Sequence, residues 1–361
     1  MKNSLLSFSL CFLTFLSTYG QRSEQTLEKN WKFMKGDVAD AQSATFNDTQ
    51  WEKVRVPHDW AIYGPFDRNN DLQRVAVTQN LETEASVKTG RTGGLPYVGV
   101  GWYRTRFDAD PDKKTTLIFD GAMSEAHVYV NGQEACFWPF GYNSFHCDIT
   151  EFLHKDGKDN VLAVRLENRP QSSRWYPGSG LYRNVHLVTT EKVHVPVWGT
   201  QITTPHVATD YASVCLHTTL NNVEKEKVTV ETEILSPDGQ KVASKKNEGR
   251  INHGQPFTQN FIVENPQLWS PETPVLYQAV SKIYVDGKLT DTYTTRFGIR
   301  SIEFVADKGF FLNGKHRKFQ GVCNHHDLGP LGAAINVSAL RHQLTLLKDM
   351  GCDAIRTAHN M

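Results

Sequence analysis

Polar side chains cluster at the ends of two short apolar runs close to the carboxyl end of the chain. They are Asn324, His325, His326 and Asp327 after the first run, and Arg356, His359 and Asn360 in and after the second. In a strand, alternation would put His325 and Asp327 on one side and His326 on the other. A neutral imidazole both donates and accepts hydrogen bonds, which suits recognition of a polar ligand. A His-x-Asp pair can also form half of a metal site, as in metal-dependent hydrolases.

The residues between the two clusters predict a helix over 336–350. Val337, Leu340, Leu344 and Leu347 recur at the three- and four-residue spacing of one helix face. Asn336 can cap the start of this helix, and a glycine follows its end. The whole segment therefore predicts a βαβ unit, for which a right-handed crossover is the default. Polar residues at the carboxyl ends of such strands are typical of the active-site face of a (β/α)₈ TIM barrel.

The residues that precede this unit predict two β-rich domains. Residues 21–190 contain alternating runs, a turn at Asn131-Gly132 that is typical of a hairpin, and further short strands, which together favour a jelly roll. Residues 191–298 contain short strands at the spacing of an immunoglobulin-like sandwich, predicted at 211–220, 227–235, 256–263, 276–285 and 290–297. A barrel takes about 250 residues, so we expect residues 299–361 to be only the start of one, truncated here. The predicted fold class is mainly β, with two sandwiches and the first βαβ unit of an incomplete barrel.

The first 20 residues resemble a secretory signal peptide. Lys2 precedes an apolar run from Leu5 to Leu16, and small residues follow near a cleavage point at Gly20. This pattern predicts export, to the periplasm or the medium. No apolar stretch approaches the roughly 20 residues that a membrane span needs.

Charge and cysteine content narrow the function classes. The chain has 39 Lys and Arg against 39 Asp and Glu, so no net charge favours binding to nucleic acid or to an anionic membrane. Without the signal, five cysteines remain at irregular spacings: Cys136, Cys147, Cys215, Cys323 and Cys352. This spacing predicts separate buried thiols, neither a disulfide framework nor a zinc site.

Several motifs, taken in order along the chain, resemble glycoside hydrolase family 2, which holds β-galactosidases, β-glucuronidases and β-mannosidases. The resemblance to its sugar-binding domain rests on four motifs: Pro57-His58-Asp59-Trp60, Gly101-Trp102-Tyr103-Arg104, Phe119-Asp120-Gly121-Ala122 and Trp175-Tyr176-Pro177-Gly178-Ser179-Gly180. The resemblance to its junction into the barrel rests on Arg296-Phe297-Gly298-Ile299-Arg300 and Phe311-Leu312-Asn313-Gly314-Lys315. The two apolar runs that end in the polar clusters resemble its first two barrel strands. The match covers nearly all of the chain after the signal.

The resemblance implies hydrolysis of β-galactosides or related β-glycosides by a retaining mechanism with two glutamates. Both glutamates lie on later barrel strands in that family. We therefore expect both to lie beyond Met361, and we expect the 361-residue chain itself to be inactive. No residue of this chain is predicted to be catalytic.

The resemblance also implies which residues bind the sugar. By resemblance, His325 and His359 would hydrogen-bond sugar hydroxyls. Asn324, His326, Asp327, Arg356 and Asn360 are further candidates for substrate binding. The sequence departs from the best-known members, which carry Asn-Arg-His-Glu where this chain has Cys323-Asn324-His325-His326.

Structural roles remain open for many of these residues. A strand-end histidine is often a satisfied packing residue, and Pro57-His58-Asp59-Trp60 either lines the sugar pocket or ties a turn to the core. Arg174, Trp175 and Tyr176 either stack on a sugar or anchor a loop. The implied partner is a β-linked oligosaccharide or glycoside, with a homo-oligomer left open for the full-length enzyme. The mechanism requires no cofactor, although a structural or site-bound cation stays open. The alternative function is a non-catalytic carbohydrate-binding or structural β-sandwich protein.

Overall fold

The computed structural model describes residues 22–89, 96–173, 175–221, 226–250 and 255–359. The signal peptide predicted for residues 1–20 lies outside this part of the chain. The described residues form 24 strands, one α-helix and four short 3₁₀ helices, and the predicted mainly-β fold class is confirmed. No helix within these ranges is both long enough and apolar enough to span a bilayer.

The first domain is built from two antiparallel sheets. Its strands are β1 (Ser23–Thr26), β2 (Trp31–Lys35), β3 (Glu52–Val54), β4 (Leu72–Val75), β5 (Ser86–Thr89), β6 (Gly99–Phe107), β7 (Lys114–Phe119), β8 (Ala126–Val130), β9 (Gln133–Trp138), β10 (Phe145–Asp148), β11 (Asn160–Asn168) and β12 (Val185–Thr190). One sheet has the order β1-β12-β7-β10 and the other β3-β2-β6-β11-β8-β9, while β4 and β5 pair separately. The 3₁₀ helices Trp60–Tyr63, Thr78–Asn80 and Thr150–Phe152 lie in the connections.

The core of this jelly-roll domain lies between its two sheets. Leu117 and Phe119 of β7 and Val128 and Leu162 of the facing sheet belong to one cluster, and all four are fully buried. Inward residues alternate with outward ones along β7, as a half-buried strand requires. The predicted hairpin turn is confirmed, because Asn131 and Gly132 join β8 to β9 with φ values of 51° and 86°.

The prediction of separate cysteine thiols is wrong for two of the five. Cys136 of β9 and Cys147 of β10 form a disulfide, with their Cα atoms 6.1 Å apart. These strands belong to different sheets, so the bond links the two layers of the jelly roll. The spacing in the sequence did not predict this disulfide, because the two cysteines meet only when the sheets pack. Cys215, Cys323 and Cys352 are free thiols as predicted, but the predicted burial is wrong, because Cys215 and Cys352 are half-buried and Cys323 is exposed.

The second domain is a smaller sandwich of two sheets. Its strands are β13 (Thr200–Val207), β14 (Tyr211–Thr218), β15 (Val228–Leu235), β16 (Lys241–Gly249), β17 (Phe257–Glu264), β18 (Tyr277–Val285) and β19 (Lys288–Phe297). The sheet orders are β13-β14-β17 and β16-β15-β18-β19. The sequence did not predict β13 or β16, which both lie at sheet edges. An edge strand can carry a proline, as β13 does, or be mostly polar and exposed, as β16 is.

The final segment contains a small antiparallel sheet and a parallel strand pair joined by a helix. Its elements are β20 (Ile302–Val305), β21 (Gly309–Leu312), β22 (Lys315–Arg317), β23 (Gly321–Asn324), a 3₁₀ turn (Gly329–Leu331), α1 (Val337–Asp349) and β24 (Ala354–Thr357). β23 pairs in parallel with β24, which confirms the predicted strand–helix–strand unit. The Asn336 side chain accepts a hydrogen bond from the amide of Ala339 at the predicted cap, and Gly351 follows α1 with φ of 98°.

Candidate functional site

The two strand ends bring His325 and His359 together. β23 and β24 run in parallel with Asn324 opposite Thr357, so the residues that follow each strand leave the sheet at the same edge. The ring centroids of His325 and His359 lie 5.0 Å apart, with the planes nearly perpendicular at 78°. The sequence predicted both residues as ligands of one site, and the structure makes them neighbours.

The jelly-roll domain contributes a third ring to this pair. Trp175 lies 4.6 Å from His359 and 6.1 Å from His325, measured between ring centroids. Its indole nitrogen is buried and has no hydrogen-bond partner among the described residues. Sequence reasoning weighed Trp175 as a stacking residue or as a loop anchor, but nothing in the local pattern showed that it meets the histidines. We call His325, His359 and Trp175 the ring cluster.

His326 has different neighbours from His325, and its hydrogen bond and ring contacts are with the jelly roll. Its Nε2 lies 3.0 Å from the carbonyl oxygen of Pro177, and its ring packs against those of Tyr142 and Tyr182. Burial lowers the pKa of His326 below its ordinary value, although the Pro177 carbonyl opposes this effect. The ring is therefore neutral and donates to Pro177, which is a packing role at the domain junction.

Three other residues predicted to bind substrate, Asn324, Arg356 and Asp327, lie in different environments. The amide group of Asn324 exchanges hydrogen bonds with that of Gln343 on α1, at 3.2 and 3.4 Å. Arg356 is exposed and contacts the sulfur of Cys323 at 3.5 Å. Asp327 is half-buried beside His326.

The remaining predicted positions fall outside the described residues. They include Arg174 and Asn360, both named as candidates to contact sugar. Met361, beyond which the catalytic glutamates are expected, also lies outside the described ranges. The roles of Arg174 and Asn360 and the location of the two glutamates therefore stay predictions.

The metal alternative requires further ligands beside His325 and Asp327. Among the described residues, no three His, Cys, Asp or Glu side chains are grouped so that they could hold a metal ion. The arrangement that is present instead combines two imidazoles that can form hydrogen bonds with one large flat indole. Such a surface can contact both the hydroxyl groups and an apolar face of a ring-shaped polar ligand.

The Pro57-His58-Asp59-Trp60 motif packs into the jelly roll, and its part in lining a sugar pocket stays a prediction. Trp60 is fully buried in the core, and the Nδ1 atom of His58 lies 2.8 Å from the hydroxyl of Tyr103. Burial, and secondarily the charge of Lys35, lower the pKa of His58 to about 4. Asp59 ties a turn, as one of the two interpretations held, and it also contacts the barrel segment. His58 therefore stays neutral in the core.

The chain has two β-sandwiches followed by a parallel strand–helix–strand unit. The polar ends of the parallel strands face the first sandwich. This order of domains defines a modular class of protein. Three models of one family match the chain in this order. They are "Glycosyl hydrolases family 2, sugar binding domain" over residues 25–191, "Glycosyl hydrolases family 2" over 193–300, and "Glycosyl hydrolases family 2, TIM barrel domain" over 304–360. The chain belongs to glycoside hydrolase family 2.

Curated relatives and solved structures agree with this assignment. The chain is 41% identical to the β-galactosidase BoGH2A of Bacteroides ovatus, over 95% of this chain and 39% of that protein. It is 34% identical to a putative β-glucuronidase of Formosa agariphila, over 97% of this chain and 32% of that protein. The structure of a family 2 member from Bacteroides cellulosilyticus superposes with a TM-score of 0.83 at 35% identity, covering 93% of this chain and 43% of that one. The chain therefore spans roughly two fifths or less of the length of these two curated relatives.

Proposed function

We propose that this chain forms the sugar-binding wall of an exported glycoside hydrolase that acts on β-galactosides or related β-glycosides. The observation that carries this proposal is the ring cluster at the carboxyl ends of β23 and β24, the edge where barrel enzymes hold their substrates. His325 and His359 bind sugar hydroxyls, and Trp175 supplies a flat surface for the ring. The 41% identity to a protein named as a β-galactosidase supports the sugar class.

The proposed reaction retains the configuration of the sugar and uses two glutamates about 5 to 5.5 Å apart. One protonates the glycosidic oxygen and the other attacks the anomeric carbon. The sequence contains no glutamate between Glu303 and Met361, so we assign both groups to barrel strands other than β23 and β24. Asp353 is engaged elsewhere, because it accepts hydrogen bonds from the amide of Gln320 and from Arg317. In this proposal His325 and His359 bind and orient the sugar. Asn324, His326, Asp327, Arg356 and Asn360 stay further candidates for substrate binding.

Two features support export. The first 20 residues have the pattern of a signal peptide. The Cys136–Cys147 disulfide inside the jelly roll suits an oxidising compartment. We expect the exported protein to begin after Gly20, which N-terminal sequencing of protein from the periplasm or medium would check.

An activity measurement tests the assignment of the glutamates. The 361-residue chain should not hydrolyse a chromogenic β-galactoside, whereas a chimaera continued after His359 with the remaining barrel of the Bacteroides ovatus relative should. Turnover by the 361-residue chain that disappears in Asp327→Asn would contradict the proposal. A folded chimaera that binds β-galactosides without turnover would favour the non-catalytic alternative.

A binding measurement tests the ring cluster directly. Adding methyl β-D-galactoside should shift the imidazole NMR signals of His325 and His359. His359→Ala should weaken binding by about 2- to 10-fold, the value of one hydrogen bond. His206→Ala is a matched control, because His206 also lies 4.6 Å from an aromatic ring, that of Tyr211, but in the second domain. Equal affinities for wild type and His359→Ala would remove His359 from the site.

A further inference from the structure

Asp59 is a buried carboxylate whose two oxygens serve different parts of the molecule. Its side chain is almost wholly buried, at 1% exposure. Oδ1 accepts hydrogen bonds from the amides of Ala61 and Ser179, both at 3.0 Å and both within the jelly roll. Oδ2 accepts from the hydroxyl of Tyr176 and from the amide of Ala333, the latter at 2.8 Å. One carboxylate therefore joins a turn and a loop of the jelly roll to the loop that follows β23.

The backbone around Oδ2 is packed so closely that side chains would not fit. A Cβ atom on Gly332 would lie 2.4 Å from Oδ2, and Gly332 has φ of 61°. A Cβ atom on Gly178 would lie 2.3 Å from the Cβ of Ala333. Ala333 itself is 2% exposed. Two glycines on opposite sides of the junction thus permit the approach that the Asp59–Ala333 bond requires.

The segments that Asp59 joins also carry the ring cluster. Tyr176 directly follows Trp175, and the loop that contains Ala333 begins a few residues after His325. Two more contacts run in parallel with the Asp59 bond: His326 Nε2 with the Pro177 oxygen at 3.0 Å, and the Ile335 amide with the Tyr182 oxygen at 2.9 Å. The distance between Trp175 and the two histidines is therefore set where these loops meet.

We propose that Asp59 is a positioning residue that clamps the loop after β23 to the jelly roll and so places Trp175 against His325 and His359. The proposal rests on the proposed function only in the meaning that it gives to the ring cluster. A carboxylate suits this position because four donors converge on two acceptor oxygens. Asparagine has only one such oxygen.

Asp59→Asn separates the two halves of the clamp. The remaining oxygen can keep the Oδ1 bonds to Ala61 and Ser179, while the new NH₂ group faces the Ala333 amide, donor against donor. We expect the Ala333 amide to exchange with solvent at least tenfold faster, with jelly-roll core amides unchanged. We also expect the pKa of His326 to rise towards its ordinary value as its ring is exposed to water.

Asp291→Asn is the matched control. Asp291 is fully buried and also joins distant segments, through Arg22 and the amide of Val195, but far from the ring cluster. This variant should leave Ala333 exchange and the His326 pKa unchanged. A general loss of stability would affect both variants alike and would not move the pKa of one histidine.

Exchange and histidine titration of the 361-residue chain decide the proposal without any sugar. Unchanged Ala333 exchange and an unchanged His326 pKa in folded Asp59→Asn would overturn it, and so would equal effects in Asp291→Asn. Titration with methyl β-D-galactoside is a separate arm. If neither wild type nor Asp59→Asn binds while the clamp readouts change as expected, the proposed function fails and the clamp stands. Unaltered binding in a variant with a released loop would show that Asp59 does not position the ring cluster.

Discussion

The jelly roll and the strand–helix–strand unit of β23, α1 and β24 are stabilised in different ways. The jelly roll has a continuous apolar core between two sheets, in which Trp31 and Leu162 are fully buried. The helix α1 has no buried residue, and its Leu344 and Leu346 are 41% and 55% exposed. Burial of apolar surface is the dominant favourable term in folding. The part of the candidate site on the jelly roll is therefore more rigid than the part on the strand–helix–strand unit.

Polar contacts hold the βαβ unit in place, whereas apolar packing stabilises the jelly roll. Asp59 holds the loop after β23, and Arg317 joins Glu272 of the second domain to Asp353 at the start of β24, at 2.8 Å from each. The unit is thus attached at its margins to both sandwiches. Its position depends on a few hydrogen bonds, so single polar substitutions should move it without unfolding the rest.

The largest expected difference between the two regions is in the response to a lost leucine side chain. Leu162→Ala removes a fully buried group and should lower the free energy of unfolding of the jelly roll by about 2 to 5 kcal/mol. Leu344→Ala, on the partly exposed helix, should cost less than about 1 kcal/mol. Urea unfolding of the two variants measures both values. Equal losses would show that α1 has a core of its own.

The jelly roll should also lose stability in acid through His58. Burial holds the pKa of His58 at about 4, below the ordinary 6.5, so the folded state favours the neutral ring. This contribution is complete above pH 6.5 and is lost as the pH falls towards 4, at roughly 1.4 kcal/mol per pH unit or about 3 kcal/mol in total. Unfolding measured between pH 7 and 4 should show a steeper loss in wild type than in His58→Asn. Identical slopes would contradict the buried neutral imidazole.

The disulfide gives the jelly roll a covalent stabilisation that the βαβ unit lacks among its described residues. Cys136 and Cys147 are 11 positions apart, and closing a loop of that length stabilises a fold by about 2 to 3 kcal/mol. Reduction with dithiothreitol should lower the free energy of unfolding of the jelly roll by that amount and leave exchange in α1 unaltered. Thiol titration of the unfolded mature chain without reductant should count three thiols. Five would contradict the bond.

The smallest expected effect is at the start of α1. Asn336→Ala removes the side-chain bond to the Ala339 amide, at 2.9 Å, and should destabilise the helix by about 1 kcal/mol. Amide exchange of residues 337–341 should accelerate about fivefold, while the jelly roll is unchanged. The exposed Ser338→Ala is a control that leaves the cap intact. Similar acceleration in both variants would argue against a capping role for Asn336.

Local patterns predicted those elements whose neighbours are close in sequence. The Asn131-Gly132 turn and α1 with its cap follow from backbone preferences and apolar spacing, and the structure confirms them. The edge strands β13 and β16 escaped prediction because exposed strands need no apolar alternation. The bond from Asp59 to Ala333 spans 274 positions, and the contact of Trp175 with His359 also joins separate domains. No local pattern contains such pairs, because they form only when the domains dock.

Native-state hydrogen exchange of the monomeric 361-residue chain tests the central contrast most directly. It compares the amides of Val128 to Val130, in a strand paired on both sides within a six-stranded sheet, with those of Gly321 to Asn324, in a two-stranded one. Exchange reports the free energy of local opening, so the two sets reveal the stability of each region in one experiment. We expect the β8 amides to exchange at least 100-fold more slowly. Equal protection of the two sets would show that the βαβ unit is as stable as the jelly roll. That result would contradict the account of a rigid jelly roll and a less stable βαβ unit docked on it.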